Sequence, residues 1–183
     1  MIKLDFHRAD VGWATGRFDA TGMTGIPKRL INYLNDNQVQ YEVLHRPEKS
    51  NDSEAMEAQS RMARFHAKVV IVKAGHQPVV MVFPLRNSID LKGLGKFFDG
   101  SVRLETEEEF KWLFPDCAVD AIPPFGNLYG LPTFADSRLS KNEYIVFTAG
   151  TPCDYIKLRY RAYERIVHPR ITAFSVKIGP RRS

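Results

Sequence analysis

Residues 116–136 read DCAVDAIPPFGNLYGLPTFAD. The adjacent prolines Pro123 and Pro124 fix two φ angles and remove two backbone donors, while Gly126 and Gly130 permit conformations that other residues avoid. Because this stretch combines few polar side chains with strong backbone control, it favours a shaped loop that offers main-chain groups to a ligand. The alternative is a rigid turn between two strands, since proline and glycine mark turns more often than binding sites.

The length and composition of the chain predict one globular domain with a hydrophobic core. The chain has 183 residues, of which 44% are hydrophobic and 26% are charged, as is usual for globular proteins. No apolar run approaches the length of about 18 residues that a membrane helix needs, and the N-terminus lacks the apolar core of a signal peptide. We therefore expect a cytoplasmic protein without membrane contact, in which Cys117 and Cys153 are free thiols.

Positive charge is concentrated towards the C-terminal end of the chain. The formal net charge is +5, and residues 155–183 contain eight Lys and Arg against a single acidic residue, Glu164. Such asymmetry indicates an anionic partner, with nucleic acid as the first candidate. The alternative is a solvated basic tail that binds no partner.

Hydrophobic patterning predicts a mixed α/β domain. We expect about seven or eight strands and four or five helices without strict alternation, and therefore one curved, mixed sheet with helices packed outside it. A hairpin is predicted over residues 68–83, and helices are predicted to begin at Asn51 and Ser88. A capping box is predicted at Thr106, and one strand is expected over residues 171–178.

The sequence lacks the side-chain motifs of the common enzyme classes. There is no Cys-x-x-Cys, His-Glu-x-x-His or Gly-x-Ser-x-Gly motif, so neither a metal site nor a serine-hydrolase site is predicted. No cofactor is expected, because Gly93 and Gly95 lack the preceding strand and the third glycine of a dinucleotide site. Lys68 opens an otherwise apolar strand and could hold a phosphate as a point charge. The alternative is an edge lysine that deters aggregation.

Four segments, taken in order, resemble the YbaK/prolyl-tRNA-synthetase-associated family of aminoacyl-tRNA editing domains. They are YEVLH at residues 41–45 with the helix start at 50–58, KVVIVKA at 68–74, IDLKGL at 89–94, and residues 114–150 with the IPPFGNLYGLP run. The resemblance covers roughly residues 27–175. We therefore divide the chain into an irregular N-terminal extension (residues 1–25), a YbaK-like editing domain (residues 26–176) and a basic C-terminal tail (residues 177–183).

The resemblance implies both a fold and an activity. The fold would be a barrel-like mixed β-sheet with flanking helices. The activity would be that of a freestanding deacylase, which hydrolyses the ester between a small amino acid (alanine, cysteine, serine or threonine) and the terminal ribose of a mischarged tRNA. The implied partners are the acceptor end of aminoacyl-tRNA and an aminoacyl-tRNA synthetase. The implied catalytic residue is Lys68, and the implied substrate-binding residues are His45, Ile122, Pro123, Pro124, Phe125, Gly126, Asp136 and Gly150.

This chemistry suits a site without a strong nucleophile. An aminoacyl ester is already activated, so positioning and oxyanion stabilisation by backbone donors would suffice, with water or a substrate hydroxyl or thiol as the attacking group. The sequence departs from the family pattern at two places. Asp120 stands where the Gly-x-x-x-Pro segment would begin with glycine, and no histidine follows Gly150 closely, although one does in several relatives.

Two other functions are open at this point. One is a non-catalytic module that keeps the fold and an affinity for tRNA. The other is a basic domain whose tail binds nucleic acid while the loop of residues 116–136 is purely structural.

Overall fold

The computed structural model describes residues 25–46, 63–98 and 100–178. Nearly all of the predicted N-terminal extension, the start of the helix predicted at Asn51 and residues 179–183 of the basic tail lie outside these ranges. Within them the chain forms ten strands and four α-helices, which confirms the mixed α/β class. None of the helices in the described part is long and apolar enough to span a bilayer.

The elements follow one another without strict alternation. The helices are α1 (Lys28–Asp36), α2 (Leu91–Phe97), α3 (Glu107–Phe110) and α4 (Tyr160–Val167). The strands are β1 (Tyr41–His45), β2 (Ala67–Ala74), β3 (Gln77–Pro84), β4 (Asn87–Ile89), β5 (Val102–Leu104), β6 (Thr133–Asp136), β7 (Tyr144–Thr148), β8 (Asp154–Arg159), β9 (Arg170–Thr172) and β10 (Ser175–Lys177). Short 3₁₀ turns interrupt the connections, two of them inside the proline-rich stretch at Val119–Ala121 and Gly126–Tyr129.

The strands form three sheets, so the prediction of a single barrel-like sheet of seven or eight strands is not confirmed. The first sheet has the order β1-β8-β7 and is antiparallel, and the second has the order β5-β2-β3-β6-β9 with parallel pairing on both sides of β6. The third pairs β4 with β10. A parallel bridge between His66 and Val146 connects the first two sheets where β2 begins, and the Val146 N–H donates to the Phe65 carbonyl at 2.9 Å.

The predicted hairpin is confirmed, and two neighbouring predictions are wrong. No helix begins at Ser88, because residues 87–89 pair with β10 as a strand and the Asp90 carboxylate caps α2 by accepting the Gly93 N–H at 3.0 Å. The strand expected over residues 171–178 is two strands in different sheets, because the extended structure is interrupted between β9 and β10. The capping box at Thr106 is present, with its N–H donating to Glu109 at 3.0 Å.

Two hydrophobic cores lie on opposite faces of the five-stranded sheet. The main core contains α1 and α4 together with the inner face of the first sheet, and the second core lies under α2. The side chains of β2 alternate between them: Ala67, Val69 and Ile71 pack with the main core, and Val70, Val72 and Ala74 with the second. Because successive strand residues point to opposite faces, this alternation also decides where Lys68 points.

Candidate functional site

A cavity of about 180 Å³ lies between the start of β2 and the 3₁₀ turn Val119–Ala121. Several parts of the chain form its wall. Arg46 follows β1, His66 precedes β2, residues 67–69 begin β2, and Val119, Asp120 and Ile122 come from the proline-rich stretch. Leu85 after β3 and the sheet residues Phe147, Thr148 and Tyr155 complete the wall. The cavity therefore joins segments that are far apart in sequence.

Gly150 fixes the turn that forms one side of this cavity. Its carbonyl accepts the Ala118 N–H at 2.8 Å, and its own N–H donates to the Ala121 carbonyl at 2.8 Å. Gly150 has a φ of +88°, and a Cβ atom there would collide with the Pro27 ring. Glycine is thus required at this position. Gly150 is buried and lies behind the turn, so it positions the wall.

The remainder of the proline-rich stretch builds the core. Ile122 reaches the cavity, whereas residues 123–126 are buried beyond it and do not line it. The Pro124 carbonyl accepts the Tyr163 hydroxyl at 3.1 Å, and the Phe125 ring lies 5.7 Å from the Tyr163 ring. The two interpretations of this stretch therefore apply to different parts of it. Its first residues form a cavity wall, and its prolines anchor that wall to the core.

Asp136 lies at the end of β6 and does not line the cavity. Its fully buried carboxylate accepts the backbone N–H groups of Arg138, Phe174 and Ser175 at 2.9, 3.0 and 2.7 Å. Burial alone would raise the pKa of Asp136, but these hydrogen bonds hold it below its ordinary value. The carboxylate therefore links β6 to the segment that connects β9 with β10. This role is structural.

His45 also lies outside the cavity wall. Its Nδ1 atom is 2.8 Å from the Asp154 carboxylate, directly across the β1–β8 pair. The other Asp154 oxygen accepts the Thr151 hydroxyl at 2.5 Å. The imidazole is therefore held against the Gly150 segment rather than directed to the site.

Lys68 borders the cavity at the start of β2, but its ammonium group lies on the other face of the sheet. Lys68 is paired with Phe83 in the β2–β3 register, and its Nζ atom lies 4.9 Å from the centre of the Phe83 ring. Phe83 is buried in the second core, whereas Ala67 and Val69 pack with the main core. Burial lowers the pKa of Lys68. Its ammonium is thus held over Phe83 and points away from Ala67 and Val69.

Most residues of the wall were not among the predicted site residues, and three of these form a cluster: Arg46, His66 and Tyr155. The His66 and Tyr155 rings stack with centroids 5.5 Å apart and 7° between their planes, and the Arg46 guanidinium lies 5.6 Å from the Tyr155 centroid. The His66 Nε2 atom is buried and has no hydrogen-bond partner in the described part of the chain. Arg46 directly follows β1 and His66 directly precedes β2, and a position near a strand end was the signal available in the sequence.

The His66 imidazole is neutral at physiological pH. Burial, and secondly the positive charge of Arg46, lower the pKa of His66 to about 4. The Cys117 thiol is also uncharged, since burial raises its pKa to about 11. Among the described residues, no three His, Cys, Asp or Glu side chains come together as a metal site.

The fold and the cavity belong to a known class of domain. The sequence model of the aminoacyl-tRNA editing domain family matches residues 46–166, which include all the residues that line the cavity. The chain is therefore a member of the aminoacyl-tRNA editing domain family, as the resemblance implied. No curated protein matches the sequence.

Solved structures share this fold. A candidate trans-editing enzyme for prolyl-tRNA synthetase has a TM-score of 0.67 at 19% identity, over 83% of this chain and 96% of that one. A scaffold protein used for grafting linear epitopes has a TM-score of 0.68 at 16% identity, over 83% and 97%. A candidate signal-transduction protein from Marinobacter aquaeolei VT8 has a TM-score of 0.64 at 16% identity; the match covers 83% of this chain and spans only 31% of that protein. At such identities the similarity shows the fold alone.

Proposed function

We infer that this chain is a trans-editing aminoacyl-tRNA deacylase, which hydrolyses the ester of a tRNA that carries a wrong, small amino acid. The observation that carries this proposal is the cavity between the start of β2 and the turn Val119–Ala121 in a member of the editing family. Its volume of about 180 Å³ is below the range of roughly 300–1,000 Å³ that holds drug-sized ligands. A small aminoacyl group suits such a space.

The proposed reaction is direct attack by water. The water oxygen forms a bond to the ester carbonyl carbon, the bond from that carbon to the ribose oxygen breaks, and the ribose oxygen leaves with the proton that water gives up. The products are a free amino acid and a tRNA with a restored hydroxyl. Such a step needs a fixed substrate and donors at the developing oxyanion.

We assign the oxyanion donors to the turn Val119–Ala121. The first N–H groups of a helical turn have no acceptor inside it, which leaves the Val119 and Asp120 amides available to the ester carbonyl. The hydrogen bonds between Gly150 and residues 118 and 121 support this assignment, because they hold the turn in one position. Preorganised backbone donors are effective because they need not reorganise during the reaction.

Selection by size follows from the apolar part of the wall. Ala67, Val69, Ile122 and Phe147 line the cavity, and Phe147 and Ile122 belong to the main core. A packed core resists the displacement that a larger side chain would require. We propose that larger, correctly attached amino acids are excluded in this way, as in a double sieve.

A second candidate function is a tRNA-binding module without catalysis. It is favoured by the position of the Lys68 ammonium over Phe83, on the face opposite the cavity. If hydrolysis requires that charge in the cavity, this chain would bind tRNA and leave the ester intact.

A deacylation panel separates the two candidates. The chain is incubated with alanyl-, cysteinyl-, seryl- and threonyl-tRNAs, each cognate and mischarged, and the remaining ester is followed over time. We expect at least one mischarged tRNA to lose its amino acid well above the spontaneous rate. If none does, while the same tRNAs bind in a salt-sensitive manner, the chain is a binding module.

A further inference from the structure

We propose that the cavity recognises its substrate through two opposite charges. Asp120 binds the α-ammonium group of the aminoacyl moiety, and Arg46 binds the phosphodiester of the terminal nucleotide. This inference rests on the proposed function, since it describes how the same cavity would hold an aminoacylated 3′ end.

Arg46 is a fixed cation at the cavity. Its N–H donates to the Cys153 carbonyl at 2.8 Å, which extends the β1–β8 pairing by one residue. Its guanidinium lies over the Tyr155 ring at 5.6 Å. No carboxylate of the described residues forms an ion pair with it, whereas Arg29, Arg103, Arg138 and Arg159 each have one. A half-buried guanidinium without a carboxylate partner is suited to bind phosphate.

Asp120 adds a carboxylate to the wall of the same cavity. It is exposed, it lines the cavity, and no cation of the described chain pairs with it. The turn that carries it is held between Ala118 and Ala121 by Gly150. The carboxylate is thus free to bind a cation of the ligand. It also stands where the family resemblance predicts glycine, so this charge is a property of this chain.

The charges of Arg46 and Asp120 both affect the pKa of Tyr155, which also lines the cavity. Burial raises the pKa of Tyr155, the positive charge of Arg46 lowers it, and the negative charge of Asp120 raises it. The guanidinium and the Asp120 carboxylate line the same cavity, and no ion pair joins them in the described part of the chain. His66 is neutral and the Lys68 ammonium faces the second core, so these two add no charge to the interior.

An aminoacylated 3′ end has the matching pattern of charges. The amino acid carries an ammonium group next to the ester carbonyl, and the phosphodiester lies on the other side of the ribose. A carboxylate and a guanidinium at one cavity therefore fix both sides of the scissile ester. A charge-assisted hydrogen bond is worth about 1.5–3 kcal/mol, which corresponds to roughly tenfold or more in affinity.

The test measures binding and does not require turnover. The probe is a short single-stranded oligonucleotide with the tRNA 3′-end sequence, in which a stable amide replaces the ester to alanine, with the amino group either free or acetylated. We expect the wild-type chain to bind the free amine about tenfold more tightly than the acetylated probe. Asp120→Asn is expected to bind both probes equally, and Asp36→Asn, at an exposed aspartate on α1, is its matched control.

Arg46→Ala is expected to weaken binding of both probes about tenfold while keeping their ratio. It is also expected to lower the slope of log affinity against log salt by about 0.7, the contribution of one phosphate contact on a single strand. Arg86→Ala, at an exposed arginine after β3, is the control, and Lys68→Ala is expected to have a smaller effect than Arg46→Ala. Thermal unfolding of each variant verifies that it is folded.

Each failure has its own signature. An unchanged ratio of the two probes in folded Asp120→Asn overturns the role of Asp120. Unchanged binding in Arg46→Ala, or a larger loss in Lys68→Ala, overturns the role of Arg46. The deacylase function itself is tested only by the deacylation panel. A binding module without catalysis that uses both Asp120 and Arg46 would therefore still be identified by the probe experiment.

Discussion

Ala67 and Lys68 are adjacent on β2 and face opposite sides of the five-stranded sheet. Ala67 packs with the main core and lines the cavity, while the Lys68 ammonium lies 4.9 Å from the centre of the Phe83 ring in the second core. The positive charge that the cavity offers on its own side is therefore that of Arg46. A shift of one position along a strand moves a side chain to the other face of the sheet. The position of Lys68 on β2 therefore leaves Arg46 as the cation that can contact the substrate.

Gly150→Ala is expected to destabilise the protein strongly. A Cβ atom would meet the Pro27 ring at a φ of +88°, so the variant combines backbone strain with overpacking, and we expect a loss of about 2–4 kcal/mol in the free energy of unfolding. Gly75→Ala is the control, because Gly75 has a φ of +62° with no atom near its Cβ position and should lose only about 1 kcal/mol. Denaturant unfolding measures both, and equal losses would contradict the role of Gly150 as the support of the wall.

His66 is expected to make stability depend on pH. Its pKa is about 4 in the folded chain against an ordinary value of 6.5, so the unfolded chain binds more protons between these values. The stability that the neutral ring contributes is fully present above about pH 6.5 and is lost as the pH falls towards 4, by up to about 3 kcal/mol.

The variant His66→Gln isolates this contribution. The free energy of unfolding is measured by denaturant titration at several pH values for both proteins, and their difference is plotted, since carboxylates titrate in both. We expect the advantage of the wild type to shrink steadily as the pH falls through this window. A difference that does not change with pH would show that the ring is not held neutral.

Asp136→Asn is expected to cost stability rather than substrate binding. The carboxylate accepts three backbone N–H groups in a fully buried position, and hydrogen bonds to a charged group are worth about 1.5–3 kcal/mol each. An amide can replace only part of this, so we expect a loss of about 2–4 kcal/mol in unfolding free energy. Affinity for the acetylated probe should be unchanged in the folded variant, and a selective loss of affinity with normal stability would return Asp136 to the site.

Cys117 is expected to react slowly with alkylating agents. Burial raises the pKa of its thiol to about 11, and only the thiolate reacts. In the Cys153→Ser variant, labelling of Cys117 by iodoacetamide near neutral pH should be about a hundredfold slower than labelling of glutathione, and it should accelerate as the pH rises. Labelling as fast as glutathione would mean that the thiol is accessible and ionised.

Local patterns predicted the local structure well. Two apolar runs joined by residues 75–77 indicated the hairpin, and Thr106 with Glu109 indicated the capping box, because both signals depend on neighbours a few residues away. The division into three sheets depends on pairings between distant segments, such as β1 with β8, which no local pattern records. The same limit explains the broken strand near the C-terminus, where Asp136 binds backbone groups 38 and 39 residues further along the chain.

The candidate site was predictable only in part. The proline-rich stretch of residues 116–136 was predicted to contribute to the site, and Ile122 from this stretch does line the cavity. The spacing of apolar residues shows that a strand is present but not which face its first residue takes, so it could not place the Lys68 ammonium. His66 and Arg46 come together with Tyr155 because the bridge at Val146 joins two sheets, and that contact has no signature in the sequence.

The cavity beside Val119 is the proposed site at which mischarged tRNA is hydrolysed. The most direct measurement is the rate of ester loss from the best substrate of the panel with the wild type, with Val119→Trp, which fills the cavity from its half-buried wall, and with Leu104→Trp at an exposed position on β5. We predict fast hydrolysis by the wild type and by Leu104→Trp, and the spontaneous rate with Val119→Trp. Hydrolysis by folded Val119→Trp at the wild-type rate would show that the reaction does not take place in this cavity.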